Sequence, residues 1–285
     1  MISLLLEPFT YEYMQKAIWV SALVGGVCAF LSSYLILKGW SLMGDALSHS
    51  IVPGVALAYL LAVPYAIGAF FAGILAAFSM TLVKQKTKLR EDTVIGLVFT
   101  TFFALGLLLV SINPTSVNIQ AIILGNILAI SNEDIYQVVI ISAICLICLG
   151  MFWKDLLAVF FDEAHARSIG LPVQSLKIMF FTLLSAATVA ALQTVGACLV
   201  IAMVVTPGAT AYLLTDRFGK MIVMSVLLGS LTAAAGAYLS YFLNASTGGL
   251  IVTLQTALFL LAFLYAPKYG LLKARRSLHQ KTEKA

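Results

Sequence analysis

The stretch ALSHSIVPGVALAYLLAVPYAIGAFFAGILAAFSMTLV, residues 46–83, contains no Asp, Glu, Lys or Arg and a single histidine, His49. A helix needs about 20 apolar residues to cross the hydrocarbon core of a bilayer. The stretch is therefore long enough for two membrane-spanning helices, and Pro64 predicts a break between them. Charged residues follow directly in KQKTKLR, residues 84–90, which predicts a loop exposed to water.

The composition of the whole chain agrees with a membrane protein. Of its 285 residues, 61% are hydrophobic and only 10% are charged, whereas soluble globular domains carry about 25% charged residues. The formal net charge of +5 comes from residues in loops and near the C-terminus, so it gives no sign of a nucleic-acid partner. We therefore predict an all-α integral membrane protein with a single transmembrane domain over residues 1–285.

The remaining uncharged runs place the other spans. One span is predicted in each of the runs 17–37, 93–111 and 135–153. Two spans are predicted in each of the longer runs, the fourth at 178–215 and the fifth at 221–267. The fourth run divides near Gly196 or at residues 206–208, and the fifth at NASTGG, residues 244–249. With the pair in 46–83, the bundle has eight to nine helices, eight if one half-span does not cross.

The distribution of basic residues predicts the orientation. The loop at 84–90 and the tail at 268–285 are rich in Lys and Arg, so both are expected in the cytoplasm. The stretch 111–134 has no Lys or Arg and ends in Glu133 and Asp134, so it is expected outside, where it includes a short segment with the sequence GNILAI. Nine spans place the N-terminus outside, and eight place it inside.

The segment at about 155–177, DLLAVFFDEAHARSIGLPVQSL and Lys177, is too long and too polar to be only a turn. Its apolar and charged residues alternate as in a short amphipathic helix, which Gly170 and Pro172 then stop. Such a helix lies on a membrane surface or docks into a partner's groove. Because its polar residues are both acidic and basic, we favour a protein partner.

Asp45 and His49 lie four residues apart in GWSLMGDALSHS, residues 39–50. On a helix this spacing puts both side chains on one face, and ionisable groups within a membrane usually face a cavity or an interior seam. Carboxylate oxygen and imidazole nitrogen together suit Mn²⁺, Fe²⁺ or Zn²⁺. The alternative is structural, with Asp45 as a helix N-cap and His49 bonded to a carbonyl. Two ligands do not complete a site, but a two-fold axis through a dimer would supply four.

Three blocks of the sequence resemble the permeases of manganese/zinc/iron-type ABC transporters. They are LKGWSLMGDALSHSIVPGVALAYLL (37–61), FFDEAHARSIGLPV (160–173) and GACLVIAMVVTPGATAYLLTDR (196–217). The resemblance covers residues from about 15 to 268. On the pattern GxSLMGDAxSHxxxPGVAL, the chain is most similar to the manganese permeases of Gram-positive bacteria.

The resemblance implies a multi-pass helical permease of the vitamin-B12-importer type in the bacterial cell membrane, working as a homodimer. Two copies of a separate cytoplasmic ATPase and an extracellular lipoprotein that binds the metal complete the transporter. In this family Asp45 and His49 match positions that line the metal pathway. The positions that match the cytoplasmic segment coupled to the ATPase are Asp162, Glu163, Ala164 and Gly170.

The sequence itself indicates that ATP binds elsewhere, because the chain has no G-x-x-x-x-G-K-[ST] phosphate-binding loop. The resulting prediction is an importer subunit, not an enzyme, that carries Mn²⁺, or alternatively Zn²⁺ or Fe²⁺, and holds no permanent cofactor. An intramembrane metalloenzyme is a second hypothesis, although its ligand count fails without dimerisation. A secondary carrier is a third, although it leaves the segment 155–177 without a use.

Overall fold

The computed structural model of the chain describes residues 6–112 and 131–266, and within these residues the secondary structure is helical, without strands. The GNILAI segment and the tail from residue 268, both discussed above, lie outside the described residues. A 3₁₀ helix at Glu7–Thr10 precedes eleven described α-helices. These are α1 Glu12–Lys38, α2 Ser41–Ser50, α3 Val52–Leu60, α4 Tyr65–Lys86, α5 Glu91–Ile112, α6 Asn132–Phe161, α7 Glu163–Ser168, α8 Val173–Val195, α9 Ala197–Leu214, α10 Phe218–Leu243 and α11 Thr247–Tyr265.

Seven of the described helices are long and apolar enough to cross a membrane, namely α1, α4, α5, α6, α8, α10 and α11. Within α9, the apolar part Val200–Leu214 is shorter than these seven helices. Helices α2 and α3 have 10 and 9 residues, and their combined rise of about 29 Å corresponds to one span. The helical membrane fold predicted from the uncharged runs is therefore confirmed.

The described residues form two compact units. One unit contains the described residues up to Ile36 and from Ala202 onward, and the other contains Leu37–Ile201. The first unit is held together by close backbone contact between α1 and α10. A Cβ atom on Gly25 would lie 2.6 Å from the carbonyl oxygen of Gly229, so only glycine permits this approach, as in other membrane helix pairs.

Helix α9 continues through Pro207, and the break in the run 178–215 falls at Gly196, which has a φ of +84°. Proline removes a backbone hydrogen bond from a helix. Ser32 of α1 bonds to the α9 backbone on both sides of this proline, because its hydroxyl donates to the carbonyl of Val205 at 3.0 Å and accepts from the amide of Gly208 at 3.0 Å. Of the two predicted positions for the break, Gly196 is correct and residues 206–208 are wrong.

In the second unit, the run 46–83 breaks before α4, where Pro64 is the N-cap residue, as predicted. Its first half is interrupted again at Ile51, between α2 and α3, because Pro53 occupies the first turn of α3. Helix α3 then packs closely on α4. A Cβ atom on Gly54 would lie 2.1 Å from the carbonyl oxygen of Gly68, so their backbones touch.

The segment 155–177 differs from a single amphipathic helix. Helix α6 continues to Phe161 because Leu156 and Phe160 are buried. The separate helix α7 has only 6 residues, Glu163–Ser168. Gly170, with a φ of +83°, ends this helix before α8 begins at Val173.

Candidate metal pathway and coupling segment

Asp45 and His49 are in contact on one face of α2. The distance between His49 Nε2 and Asp45 Oδ1 is 3.3 Å. The side chain of His49 is 24% exposed and that of Asp45 is 34% exposed. Asp45 is inside α2, whose N-cap residue is Trp40 without a side-chain capping bond. The alternative of an Asp45 helix cap is therefore wrong.

The His49 ring lies against two aromatic residues of α5. Its centroid is 5.6 Å from that of Phe99 and 5.5 Å from that of Phe103. These rings restrict the imidazole to one region of the helix face, where Nε2 meets the Asp45 carboxylate. Such contacts hold the imidazole beside the carboxylate.

The helix break beside the pair has a further consequence that our sequence reasoning missed. Proline lacks an N–H and thereby leaves the carbonyl four residues earlier without its helical donor. For Pro53 that carbonyl belongs to His49, and it accepts instead from the amide of Ile51. The spacing of His49 and Pro53 was a readable signal for an altered carbonyl at the site.

The serines on either side of His49 differ in their hydrogen bonding. Ser48 bonds back to the carbonyl of Gly44 at 2.7 Å, as serines inside helices commonly do. The hydroxyl of Ser50 is buried and has no hydrogen-bond partner among the described residues. Position 50 thus adds an unsatisfied oxygen to the turn that carries His49.

Within residues 6–112 and 131–266, no group of three or more His, Cys, Asp and Glu side chains is arranged to hold a metal ion. The described part of one chain therefore brings Asp45 and His49 together as a pair, without a third such side chain. A pair gives weak, reversible binding, whereas closed structural metal sites use four ligands.

The residues predicted to couple to an ATPase lie on and around α7. Asp162 is the N-cap of this helix, and its Oδ1 accepts hydrogen bonds from the amides of Ala164 at 2.9 Å and His165 at 3.1 Å. The role of Asp162 within this chain is thus to start the helix. A Cβ atom on Gly170 would have no neighbour within 4 Å, so glycine is required there for its positive φ.

Exposed apolar side chains flank α7 on both sides. Phe161 is 77% exposed and Ile169 is 57% exposed, and Ala164 is exposed between them. These residues are adjacent to charged side chains, as in the mixed surfaces that proteins use to bind one another.

The Glu163 carboxylate, in contrast, is bonded within the chain. It forms an ion pair with Lys177 of α8, and it lies 4.0 Å from the Nζ of Lys38 and 3.7 Å from an Nη atom of Arg167. Sequence reasoning did not identify Lys38 and Lys177 as its partners, because the separation in sequence gives no signal for them.

The loop between α4 and α5 lies at the same end of this unit. Glu91, the first residue of α5, is 4.0 Å from the Nζ of Lys84 and accepts a hydrogen bond from the indole of Trp40. Trp40 packs on Phe160, two residues before Asp162. The three elements predicted to be cytoplasmic or close to the inner face, which are residues 84–90, Lys38 and the segment 155–177, are therefore neighbours.

Comparisons with known proteins identify the family. The model of the ABC 3 transport family matches residues 10–266. The chain is 68% identical to the chelated iron transport system membrane protein YfeC of Yersinia pestis, covering 96% of this chain and 94% of YfeC. It is 43% identical to the manganese transport system membrane protein MntC of Listeria monocytogenes, covering 93% and 95% of the two chains.

A solved structure has the same fold. The structure of PsaBC from Streptococcus pneumoniae in complex with Fab matches with a TM-score of 0.85 and 36% identity, covering 96% of this chain and all of that one. The expected likeness to manganese permeases of Gram-positive bacteria is confirmed by MntC, although the chain shares more residues with the iron-transport protein YfeC. The chain belongs to the ABC 3 transport family and is a multi-pass membrane permease.

Proposed function

We propose that the chain is the permease subunit of an ATP-driven importer of divalent transition metal ions, with Mn²⁺ as its principal cargo. The observation that carries this proposal is the contact between Asp45 and His49. The pair lies on a short interrupted helix in a chain whose relatives are named for manganese or iron transport.

The chemistry of the pair supports a pathway in preference to a storage site. One carboxylate and one imidazole accept Mn²⁺, Fe²⁺ and Zn²⁺, and conduction needs binding that is weak enough to release the ion. The partial exposure of both side chains supports a shared site. In a homodimer, a two-fold axis would bring two Asp45 and two His49 side chains to one passage.

The coupling segment supports an ATPase partner. The exposed residues Phe161, Ala164 and Ile169 around α7 offer a surface that a protein partner would cover. Two cytoplasmic ATPase subunits bind there, and an extracellular lipoprotein delivers the metal. ATP binding then displaces α7 and reorients the bundle, which opens the metal site to alternate sides of the membrane.

Iron(II) is the second candidate cargo, because the 68% identical YfeC is named for chelated iron transport. Zinc is a third candidate on ligand chemistry alone. The metalloenzyme hypothesis is weaker, because the described residues bring no third protein ligand to the pair.

Uptake by whole cells tests the function. A bacterial strain without its own metal importers would express the permease with its ATPase and binding protein, and would be given radioactive manganese, iron(II) or zinc separately. A matched strain would carry an ATPase unable to hydrolyse ATP. We expect manganese to accumulate about tenfold above the matched strain and faster than iron or zinc. Faster uptake of iron would overturn the cargo assignment, and equal uptake in the two strains would overturn the importer.

A further inference from the structure

Trp40 occupies the junction between α1 and α2, separated from Lys38 only by Gly39. Its ring is buried, stacks on Phe181 at a centroid distance of 5.6 Å and meets Phe160 edge-on at 5.5 Å. Its indole N–H donates to Glu91. The residue that precedes α2 thus contacts three other helices of its unit, α5, α6 and α8.

Two routes connect this junction to the coupling helix α7. The first runs through Phe160, in the last turn of α6, which contacts the Trp40 ring directly. The second runs through Lys38, whose Nζ lies 4.0 Å from the Glu163 carboxylate and 5.9 Å from the centroid of the Trp40 ring. Both routes therefore end on one side chain, that of Trp40.

We propose that Trp40 and Glu163 are positioning residues that transmit displacement of α7 to α2, the helix that carries the Asp45–His49 pair. This inference rests on the proposed function, since it assigns how the movement of the ATPase reaches the metal pathway. Glu163 then acts through lysines of its own chain, and the exposed residues beside it provide the contact with the ATPase.

The dimensions suit such transmission. Trp40 precedes Asp45 by five residues, about 7.5 Å along a helix. A displacement of the Trp40 ring therefore carries the Asp45–His49 pair with it. Gly39 has a φ of +75° and no atom within 4 Å of a Cβ placed on it. It therefore adopts a backbone conformation that residues with a side chain rarely adopt, directly between Lys38 and Trp40.

A cavity beside the ring provides room for movement. It has a volume of about 100 Å³ and is lined in part by Trp40, Met43, Met80, Ile95 and Phe181. The cavity is partly open, and Lys84, Glu91 and Lys177 also line it. Methionine side chains adapt readily to a changed shape, so the walls accommodate a second position of the indole.

Reconstituted transporter, containing the permease, its ATPase and its binding protein, tests the proposal. Trp40→Ala and Glu163→Gln would be made singly and together, and the manganese transported per ATP hydrolysed would be measured. Trp40→Ala interrupts both routes and is expected to lower this ratio about tenfold, whereas Glu163→Gln interrupts one route and is expected to lower it less. The double change is expected to lower it no further than Trp40→Ala, because the Glu163 route passes through Trp40 and the two losses are not additive. Trp19→Ala, at an exposed position of α1, is the matched control and is expected to keep the wild-type ratio.

A measurement of movement separates transmission from structural damage. With the four native cysteines replaced, spin labels on Ser168 of α7 and on Ser41 of α2 would report displacement on addition of a non-hydrolysable ATP analogue. In the otherwise unaltered permease both labels are expected to shift. With Trp40→Ala, the α7 label is expected to shift and the α2 label to stay in place.

Trp40→Phe keeps the ring contacts without the indole N–H and is expected to retain most transport. If Trp40→Ala fails to assemble, Lys38→Met and Glu163→Gln carry the same test. Additive losses, or an α2 label that still follows α7 in the variants, would overturn the inference while leaving the importer intact. An unaltered transporter that moves no metal would instead overturn the proposed function.

Discussion

Two sets of polar side chains, one in each unit of this chain, are placed in opposite ways. In the first unit, the buried hydroxyls of Ser32 and Ser225 donate to backbone carbonyls of neighbouring helices at 3.0 and 2.7 Å. In the second unit, Asp45 and His49 are partly exposed and contact each other at 3.3 Å. A hydroxyl that is buried and satisfied holds helices together, whereas ionisable groups that stay partly exposed within a membrane protein are available to a cargo or a partner.

This difference separates stability from transport. Changes to the buried hydroxyls should alter how well the chain folds and should leave the chemistry of the Asp45–His49 pair untouched. Changes to the Asp45–His49 pair should abolish transport without unfolding the chain, because neither side chain fills the core.

Placing a charge at a buried hydroxyl of the first unit would have the largest effect on folding. Ser225→Asp would put a carboxylate in place of a fully buried hydroxyl, at a cost of at least about 3 kcal/mol. We expect little folded protein in detergent, measured as the monodisperse fraction on size-exclusion chromatography. Ser41→Asp is the matched control, because position 41 is exposed at the N-terminus of α2, where a negative charge is favourable. A normal yield of the Ser225→Asp protein would contradict the comparison.

Removing a hydroxyl without adding charge would have a smaller effect. Ser32→Ala would leave the amide of Gly208 and the carbonyl of Val205 without their partner beside Pro207, and should lower the free energy of unfolding by about 1–2 kcal/mol. Titration with sodium dodecyl sulfate would measure the change. Among the described residues, the neighbouring Ser33 bonds only to Ala29 of its own helix at 3.4 Å, so Ser33→Ala should be close to neutral. Equal effects of the two substitutions would show that the bridge to α9 contributes nothing.

Much of the fold was predictable from sequence because charge-free runs report membrane burial directly. The breaks at Pro64, Gly196 and NASTGG follow from backbone chemistry that is local in sequence. The interruption between α2 and α3 escaped prediction because Pro53 lies inside an uncharged run, where hydropathy alone gives no boundary. The end of α6 was misplaced because the burial of Leu156 and Phe160 depends on tertiary packing.

At the candidate site, contacts between residues close in sequence were predictable and contacts between distant residues were not. The spacing of Asp45 and His49 placed both residues on one helix face, and their contact in the structure follows from helix geometry. The bridge from Ser32 to Val205 and the pairing of Glu163 with Lys38 join residues far apart in sequence. No periodicity or spacing reports such pairs, so only a three-dimensional structure reveals them.

The most direct test of the central claim measures transport and stability together in Asp45→Asn and His49→Gln. These substitutions preserve the approximate size of each side chain and weaken its affinity for a metal ion. In reconstituted transporter, we predict that ATP-dependent manganese uptake falls at least about tenfold in each variant, while the unfolding midpoint and the amount of co-purified ATPase stay at the unaltered values. Uptake at the unaltered rate in both variants would contradict the assignment of Asp45 and His49 to the metal pathway.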